Sequence, residues 1–323
     1  MICSIRFFEL SVMLGTEDYS EQLNRAYKRA ERKNHRMYAT DFGHIDESLT
    51  KRGIGIAYYD NQKKKKIKII VYFPSLIIDD DDPSEFWKPT PSNILRLIDK
   101  LDKIILKYFN SDYGLGDFDL ARVDFAADLG VDRERVGDYI KILHNIGRVK
   151  CFSPMKYGRH DGETKDKSFE LIGNSNGIEF HAHTLEYNKN VLRIEVRLTT
   201  KAAIRDYSGE NDTYEQIRVL AEKSEIIFMG IFHHIIPKGN FYKKPKAEKL
   251  IRERMPDRKM RLRMIRLLTL VKESKSLHLA IKEMNYRNYQ EVLSAFAMIG
   301  VAPISISKRH DVKMLRSLYN YFG

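Results

Sequence analysis

Apolar and polar residues alternate along several segments of this chain, and this two-residue period constrains the fold more than any other feature. The clearest examples are LARVDFAADL (120–129), EFHAHTL (179–185) and VLRIEVRL (191–198). Because successive side chains on a β-strand point to opposite faces, each segment is predicted to be a strand with one apolar and one polar face. The short connection between the last two predicts a hairpin.

Helical periodicity separates these strands. In PSNILRLIDKLDKIILKYF (91–109), apolar residues recur at helical spacing and predict an amphipathic helix. A length of 323 residues is enough for one large domain and a smaller one. We therefore predict an α+β fold with a mainly antiparallel central sheet and helices packed on one face, plus a small basic all-helical C-terminal domain.

The pattern changes near residue 236, after which no strand is predicted. PKGNFYKKPKAEK (237–249) is typical of a basic linker, and three short helical segments follow it. These observations predict a domain at 1–236 and a second at 237–323, the latter resembling a small helix-turn-helix unit.

The positive charge is concentrated at one end of the chain. The net charge is +12, and residues 238–323 hold 20 Lys or Arg against 7 Asp or Glu. A segregated basic segment favours a polyanionic partner, most often nucleic acid, although a merely soluble basic surface is the alternative. Arg261, Arg263 and Arg266 on one candidate helix are the predicted DNA contacts.

A lysine run at 63–66 lies in the predicted hairpin that turns at Asp60–Asn61. Lys63, Lys64 and Lys65 are candidate phosphate contacts, but lysines also protect edge strands from aggregation. The only cysteines, Cys3 and Cys151, suit a reducing compartment. Without a long apolar run or a signal-peptide pattern, we expect a cytoplasmic protein that does not bind membranes.

Three of the predicted strands carry polar rows that suit phosphodiester chemistry. If these strands are neighbours, their rows form one site. Asp124 and Glu195 are candidate ligands for Mg²⁺ or Mn²⁺, with His181 and His183 as further candidates. Tyr187 could attack the phosphate and retain it covalently, and Lys189 on the same face could lower the phenol pKa. Arg193 and Arg197 are candidate DNA contacts beside Glu195.

Each of these residues also has a purely structural explanation. Tyr187 is one of 18 tyrosines, and an HAH pair on a strand is more often solvated than metal-bound. The alternating charges of RIEVRL (193–198) also suit a salt-bridged, exposed strand face, and Asp124 suits a surface ion pair.

The order of the segments LARVDFAADLGVDRERVGDYIKILHN, HTLEYNK and LRIEVRLTTKAAIRDY resembles the replication-initiator endonucleases of filamentous phages, the gene II type. The resemblance extends from about residue 50 to 305 and includes the C-terminal helices. A more distant similarity links the YxK strand to plasmid replication-transfer initiators and relaxases.

The resemblance implies that Tyr187 nicks one strand of origin DNA, with Lys189 as its partner and Asp124 and Glu195 as the strand carboxylates. Nicking would leave a 5′-phosphotyrosine link and a 3′ hydroxyl that primes rolling-circle replication, and would be followed by rejoining. Origin DNA with a single-stranded nick region, a host helicase and a host polymerase are the implied partners. The alternatives are a relaxase or transposase with the same chemistry, and a non-catalytic DNA-binding repressor.

Overall fold

The computed structural model describes residues 4–61, 64–77, 91–131, 135–149, 151–155, 167–185, 190–307 and 311–322. Its main feature is a ten-stranded antiparallel sheet with the order β2-β3-β4-β5-β1-β6-β10-β9-β8-β7. The predicted α+β class with a mainly antiparallel sheet is thereby confirmed. The strands are β1 Ser4–Leu14, β2 Met37–Thr40, β3 Gly43–Asp46, β4 Ile54–Asn61, β5 Lys64–Tyr72, β6 Asp119–Gly130, β7 Phe152–Pro154, β8 Ser168–Gly173, β9 Ile178–Thr184, β10 Val191–Leu198, and a separate pair, β11 Phe241–Tyr242 and β12 Met314–Leu315.

Helices occupy most of the remaining described chain, with short 3₁₀ turns at Thr50–Arg52, Leu115–Asp117 and Leu318–Tyr321. The α-helices are α1 Thr16–Lys33, α2 Phe73–Ile77, α3 Pro91–Tyr108, α4 Val136–Leu143, α5 Lys201–Ser208, α6 Thr213–Glu222, α7 Ser224–Ile235, α8 Lys244–Arg254, α9 Arg258–Ser274, α10 Leu277–Met284 and α11 Tyr289–Met298.

The chain forms two compact units, each built from two stretches of sequence. The N-terminal unit comprises Ile2–Ala126 and Arg197–Ile227, and the C-terminal unit comprises Met1, Ala127–Val196 and Phe228–Gly323. The division falls within β6 and β10. It differs from the predicted boundary at residue 236, because the C-terminal helices group with Ala127–Val196.

One face of the N-terminal unit's sheet is covered by helices. The fully buried Tyr58 of β4 meets Tyr19 of α1 edge to face, at 6.2 Å between ring centroids. Its hydroxyl lies 3.1 Å from that of Tyr108 in α3. Val71, Ile67 and Ile69 of β5 are also buried, so the apolar positions of the strands form a core with the helices.

The opposite face of the same strands carries half-exposed side chains. Phe7 and Glu9 of β1, Tyr59 of β4, and Lys66 and Lys68 of β5 are all only partly buried. We call this surface the open face of the N-terminal unit. Its alternation with the buried residues agrees with the two-residue period of the sequence.

The C-terminal unit joins part of the sheet to the C-terminal helices. The hydroxyl of Tyr139 in α4 donates a 2.9 Å hydrogen bond to the carbonyl of Arg316, and its ring contacts Phe241. The backbone N–H of Leu277 donates to the carbonyl of Ile146 at 3.0 Å. These contacts join the C-terminal helices to the strands and helix of Ala127–Val196.

The segment predicted as a linker is ordered structure. Phe241 pairs with Leu315 in the β11–β12 ribbon, and α8 begins at Lys244 with Pro245 in its first turn. The prediction of no strand after residue 236 was wrong, because the pairing partner lies more than 70 residues away in sequence. The predicted turn at Asp60–Asn61 was also placed too early, since Asn61 still pairs with Lys64. Within the described residues, none of the helices combines the length and the apolar character needed to cross a bilayer.

Candidate functional site

Polar side chains of the C-terminal unit follow one face of β8 and β9. His181 lies opposite Glu170 in the β8–β9 register, and its side chain is 8% exposed. Its Nε2 donates to Glu179 Oε2 at 2.9 Å, because a carboxylate oxygen can only accept. Nδ1 lies 3.6 Å from Glu170 Oε2, beyond hydrogen-bond range. His181 therefore has one nitrogen fixed by a carboxylate and the other directed toward a second carboxylate.

A second imidazole–carboxylate pair joins β9 to β10. His183 Nε2 lies 3.8 Å from Glu195 Oε1, and the Glu195 side chain is 9% exposed. This separation is too long for a hydrogen bond between these two atoms. It does suit two ligands of one cation, because donors that each lie about 2.1 Å from an ion are separated by about 3–4 Å. We call Glu170, Glu179, His181, His183 and Glu195 the His–Glu cluster.

Two members of this cluster were not predicted from the sequence. Glu179 precedes His181 by two residues on the same strand face, so the alternation itself could have identified it. Glu170 could not be found in this way, because its proximity depends on the β8–β9 register. The HAH motif thus supplies two of the five side chains of the His–Glu cluster.

Arg193 occupies a structural position in the C-terminal unit. It is 2% exposed and makes a bidentate contact with Asp128, with Nε to Oδ1 and Nη2 to Oδ2 distances of 2.6 Å each. The prediction that Arg193 binds DNA does not agree with this burial, because its guanidinium has no surface for a phosphate. Alternation correctly put Arg193 and Glu195 on one face of β10, but that face is buried.

Asp124 belongs to the N-terminal unit, where its neighbours are cationic. It is 4% exposed and accepts hydrogen bonds from Arg122 Nε at 2.7 Å and Nη2 at 2.5 Å. Arg197 Nε lies 3.4 Å from the same carboxylate. The predicted DNA contact Arg197 is thus a partner of Asp124, with 20% of its side chain exposed. Metal ligation by Asp124 stays a prediction.

The predicted nucleophile Tyr187, its partner Lys189 and the candidate DNA contact Lys63 lie outside the described residues. Of the other hairpin lysines, Lys64 is exposed. Lys65 Nζ forms a 2.7 Å ion pair with Asp60 and lies over the Tyr19 ring.

The predicted arginine helix is α9, which the structure confirms as a helix. Arg266 is exposed, whereas Arg263 stacks on Tyr286 at 4.0 Å and donates to its hydroxyl. Arg261 is half-buried, with Nη1 3.4 Å from the carbonyl of Arg252. Ser276 caps α10, whose backbone then turns at Asn285 before α11. Of the three arginines, Arg266 is the most available to a partner.

No set of three or more His, Cys, Asp or Glu side chains in the described part of the chain is arranged to hold a metal ion. The His183–Glu195 pair nevertheless fits a hard cation that takes its remaining ligands from water and phosphate, as Mg²⁺ commonly does. The Glu179–His181 hydrogen bond has the form of the carboxylate–histidine contacts that orient metal-binding imidazoles. Hence the donor chemistry is compatible with Mg²⁺ or Mn²⁺.

The sequence matches no protein-family model, and comparisons with curated proteins and with solved structures find no significant match.

Proposed function

We propose that this chain is a metal-dependent endonuclease that nicks one strand of origin DNA by tyrosine attack and so starts rolling-circle replication. The His183–Glu195 pair, with its 3.8 Å separation on a partly buried polar sheet face, is the observation that supports catalysis most directly. In sequence, Tyr187 comes four residues after His183 and eight before Glu195. The candidate nucleophile and the candidate ligands are therefore close along the chain.

The proposed reaction is a balanced transesterification. The Tyr187 phenol loses its proton as its oxygen forms a bond to phosphorus, the bond from phosphorus to the 3′ oxygen breaks, and that oxygen takes up a proton. The products are a 5′-phosphotyrosine and a free 3′ hydroxyl, and the reverse reaction rejoins the strand without an external energy source.

The chain's own residues have separate roles in this proposal. Glu195 and His183 would hold Mg²⁺ or Mn²⁺, which when bound supplies positive charge to the scissile phosphate. Glu179 orients the His181 ring through its hydrogen bond to Nε2. Lys189 would stabilise the negative charge of the phenolate. The exposed cations of α9–α11, among them Arg266, would bind the origin duplex.

The enzyme would act in the cytoplasm of a bacterial host, where a host helicase and polymerase extend the nicked strand. A relaxase or transposase would share the chemistry and differ in the fate of the 3′ end. A non-catalytic repressor would share only the DNA binding.

The direct test incubates the purified chain with supercoiled DNA that carries its own origin, in Mg²⁺, in Mn²⁺ and in EDTA. We expect nicked circles that carry protein on the 5′ end, with either metal and not with EDTA. Tight binding to the same DNA without nicking in any metal would contradict the proposal and favour the repressor.

Metal binding can be measured separately from cleavage. Replacing Glu195 with glutamine removes one charged ligand, so we expect Mn²⁺ affinity to fall by roughly 10- to 100-fold or more, the range known even for outer-shell partners. Isothermal titration calorimetry with Mn²⁺ measures this change. Glu222→Gln in α6 is the matched control, and equal affinities of the two variants would exclude Glu195 as a ligand.

A further inference from the structure

An exposed aromatic side chain lies on a backbone-anchored turn of the N-terminal unit. Phe42, in the turn between β2 and β3, is 70% exposed. Its backbone N–H contacts Thr40 Oγ1 at 3.4 Å, and its carbonyl accepts from Asp60 N–H at 3.3 Å. The turn is thus anchored through both the N–H and the carbonyl of Phe42. The ring itself projects into solvent and does not contribute to the core.

The next residue shows how closely the turn packs on the sheet. Gly43 has a φ of +142°, and a Cβ there would lie 1.9 Å from the carbonyl oxygen of Tyr58. Only glycine tolerates this approach and this backbone conformation. The glycine at position 43 therefore allows the turn that carries Phe42 to pack closely on β4.

Phe42 forms one wall of a pocket on the open face. In the sheet register, Met13, Lys66, Tyr59 and Gly43 lie in one row across four strands. Met13 is 53% exposed. The pocket has a volume of about 300 Å³ and is lined by Met13, Phe42, Tyr59, Asn61, Lys64 and Lys66. An apolar floor with an exposed ring and a cationic rim suits a flat aromatic ligand that carries negative charge.

Lys64 and Lys66 are the two cations that line this pocket. Lys66 and Lys68 lie 5.4 and 5.0 Å from the centroid of the Tyr59 ring. Lys68 is paired with Glu9, but among the described residues no carboxylate lies within ion-pair distance of Lys64 or Lys66. Partial burial, together with the charge of Lys68, lowers the pKa of Lys66. The negative charge of a bound phosphate would oppose this lowering, because a nearby anion favours the charged ammonium.

The sheet order weakens the other explanation for these lysines. Lysine on an edge strand prevents aggregation, but β5 lies between β4 and β1 in the interior of the sheet. Edge protection therefore does not account for Lys66, whose backbone is paired on both sides.

We propose that this pocket binds an unpaired base of single-stranded DNA, stacked on Phe42, with Lys64 and Lys66 contacting the neighbouring phosphates. Aromatic rings combined with a basic groove are the usual means of holding single strands, because every base offers a face for stacking. The proposal rests on the proposed function, since nicking and strand displacement supply the single strand. The pocket would hold part of that strand on the same open face that carries Phe7 and Glu9.

The test measures fluorescence anisotropy of labelled single-stranded and duplex oligonucleotides of the same sequence with the full chain. We expect Phe42→Ala to weaken single-strand binding by roughly tenfold, with duplex binding unchanged. Phe42→Trp keeps a stacking surface and should retain binding. Leu95→Ala removes another exposed apolar side chain of the same unit, 57% exposed on α3, and is the matched control.

Replacing Lys64 and Lys66 together with glutamine should reduce the salt dependence of single-strand binding, because each lost phosphate contact lowers the slope. Equal single-strand affinities for Phe42→Ala and Leu95→Ala would overturn the proposal. This outcome is distinct from failure of the proposed function, which is measured by nicking of supercoiled DNA. If the chain never nicks DNA but Phe42→Ala still loses single-strand affinity, the result would support the proposed binding pocket and contradict the proposed nuclease activity.

Discussion

Tyr187→Phe is expected to abolish origin nicking, with a loss on the order of 10⁴-fold or more, because the substitution removes only the oxygen that would attack phosphorus. Phenylalanine keeps the ring, so folding and DNA affinity should remain those of the original chain. The measurement combines gel separation of nicked and supercoiled circles with detection of protein bound to the 5′ end.

Tyr38→Phe, in β2, provides the matched control for this substitution. It should nick at the original rate and form the same covalent adduct. If Tyr187→Phe still forms an adduct, another tyrosine is the nucleophile, and mapping the labelled peptide would identify it. If it nicks without an adduct, water is the attacking group and the tyrosine mechanism is wrong.

Asp128→Asn is expected to lower the free energy of unfolding by up to about 3–5 kcal/mol, the range seen when one charge of a buried ion pair is removed. The guanidinium of Arg193 is 2% exposed and would lose the charge that it contacts through two nitrogens. Urea denaturation followed by circular dichroism measures the change as a shift of the midpoint at constant slope.

Two further variants separate this effect from a general loss of packing. Arg193→Met combined with Asp128→Leu removes both charges and should recover most of the lost stability, because the desolvation cost disappears with them. Arg218→Met removes a half-buried surface arginine of α6 that pairs with Glu222, and should change the denaturation curve by less than about 1 kcal/mol. If Asp128→Asn behaves like Arg218→Met, the buried pair contributes little to folding.

Local periodicity was sufficient to predict the main strands and their faces. The alternation in LARVDFAADL and VLRIEVRL correctly separated Phe125 and Ile194, which are buried in the core, from Asp124 and Glu195. It could not show that Asp124 and Glu195 are themselves buried, since burial depends on the strands and helices that come from elsewhere in the chain. The positive charge of the C-terminal region could be counted directly, because it depends only on which residues are present there.

Long-range pairing explains what the sequence did not reveal. The pairing of Phe241 with Leu315 makes a strand of a segment that the sequence predicts to be a linker. The position of β5 between β4 and β1 shows that its lysines do not protect an edge strand. Glu170 joins the His–Glu cluster only through its register with His181. In each case the deciding neighbour is distant in sequence, where periodicity carries no information.

The division of the chain into two discontinuous units has a consequence for its synthesis. The N-terminal unit includes α5 and α6, and Thr213 of α6 donates through Oγ1 to the carbonyl of Phe118 at 2.6 Å. The ribosome delivers these helices only after the strands of the other unit, from Ala127 to Val196. The N-terminal unit is therefore completed only after the strands of the C-terminal unit have been synthesised. No single cut separates the units, so neither can be inherited or exchanged as one uninterrupted piece of the gene.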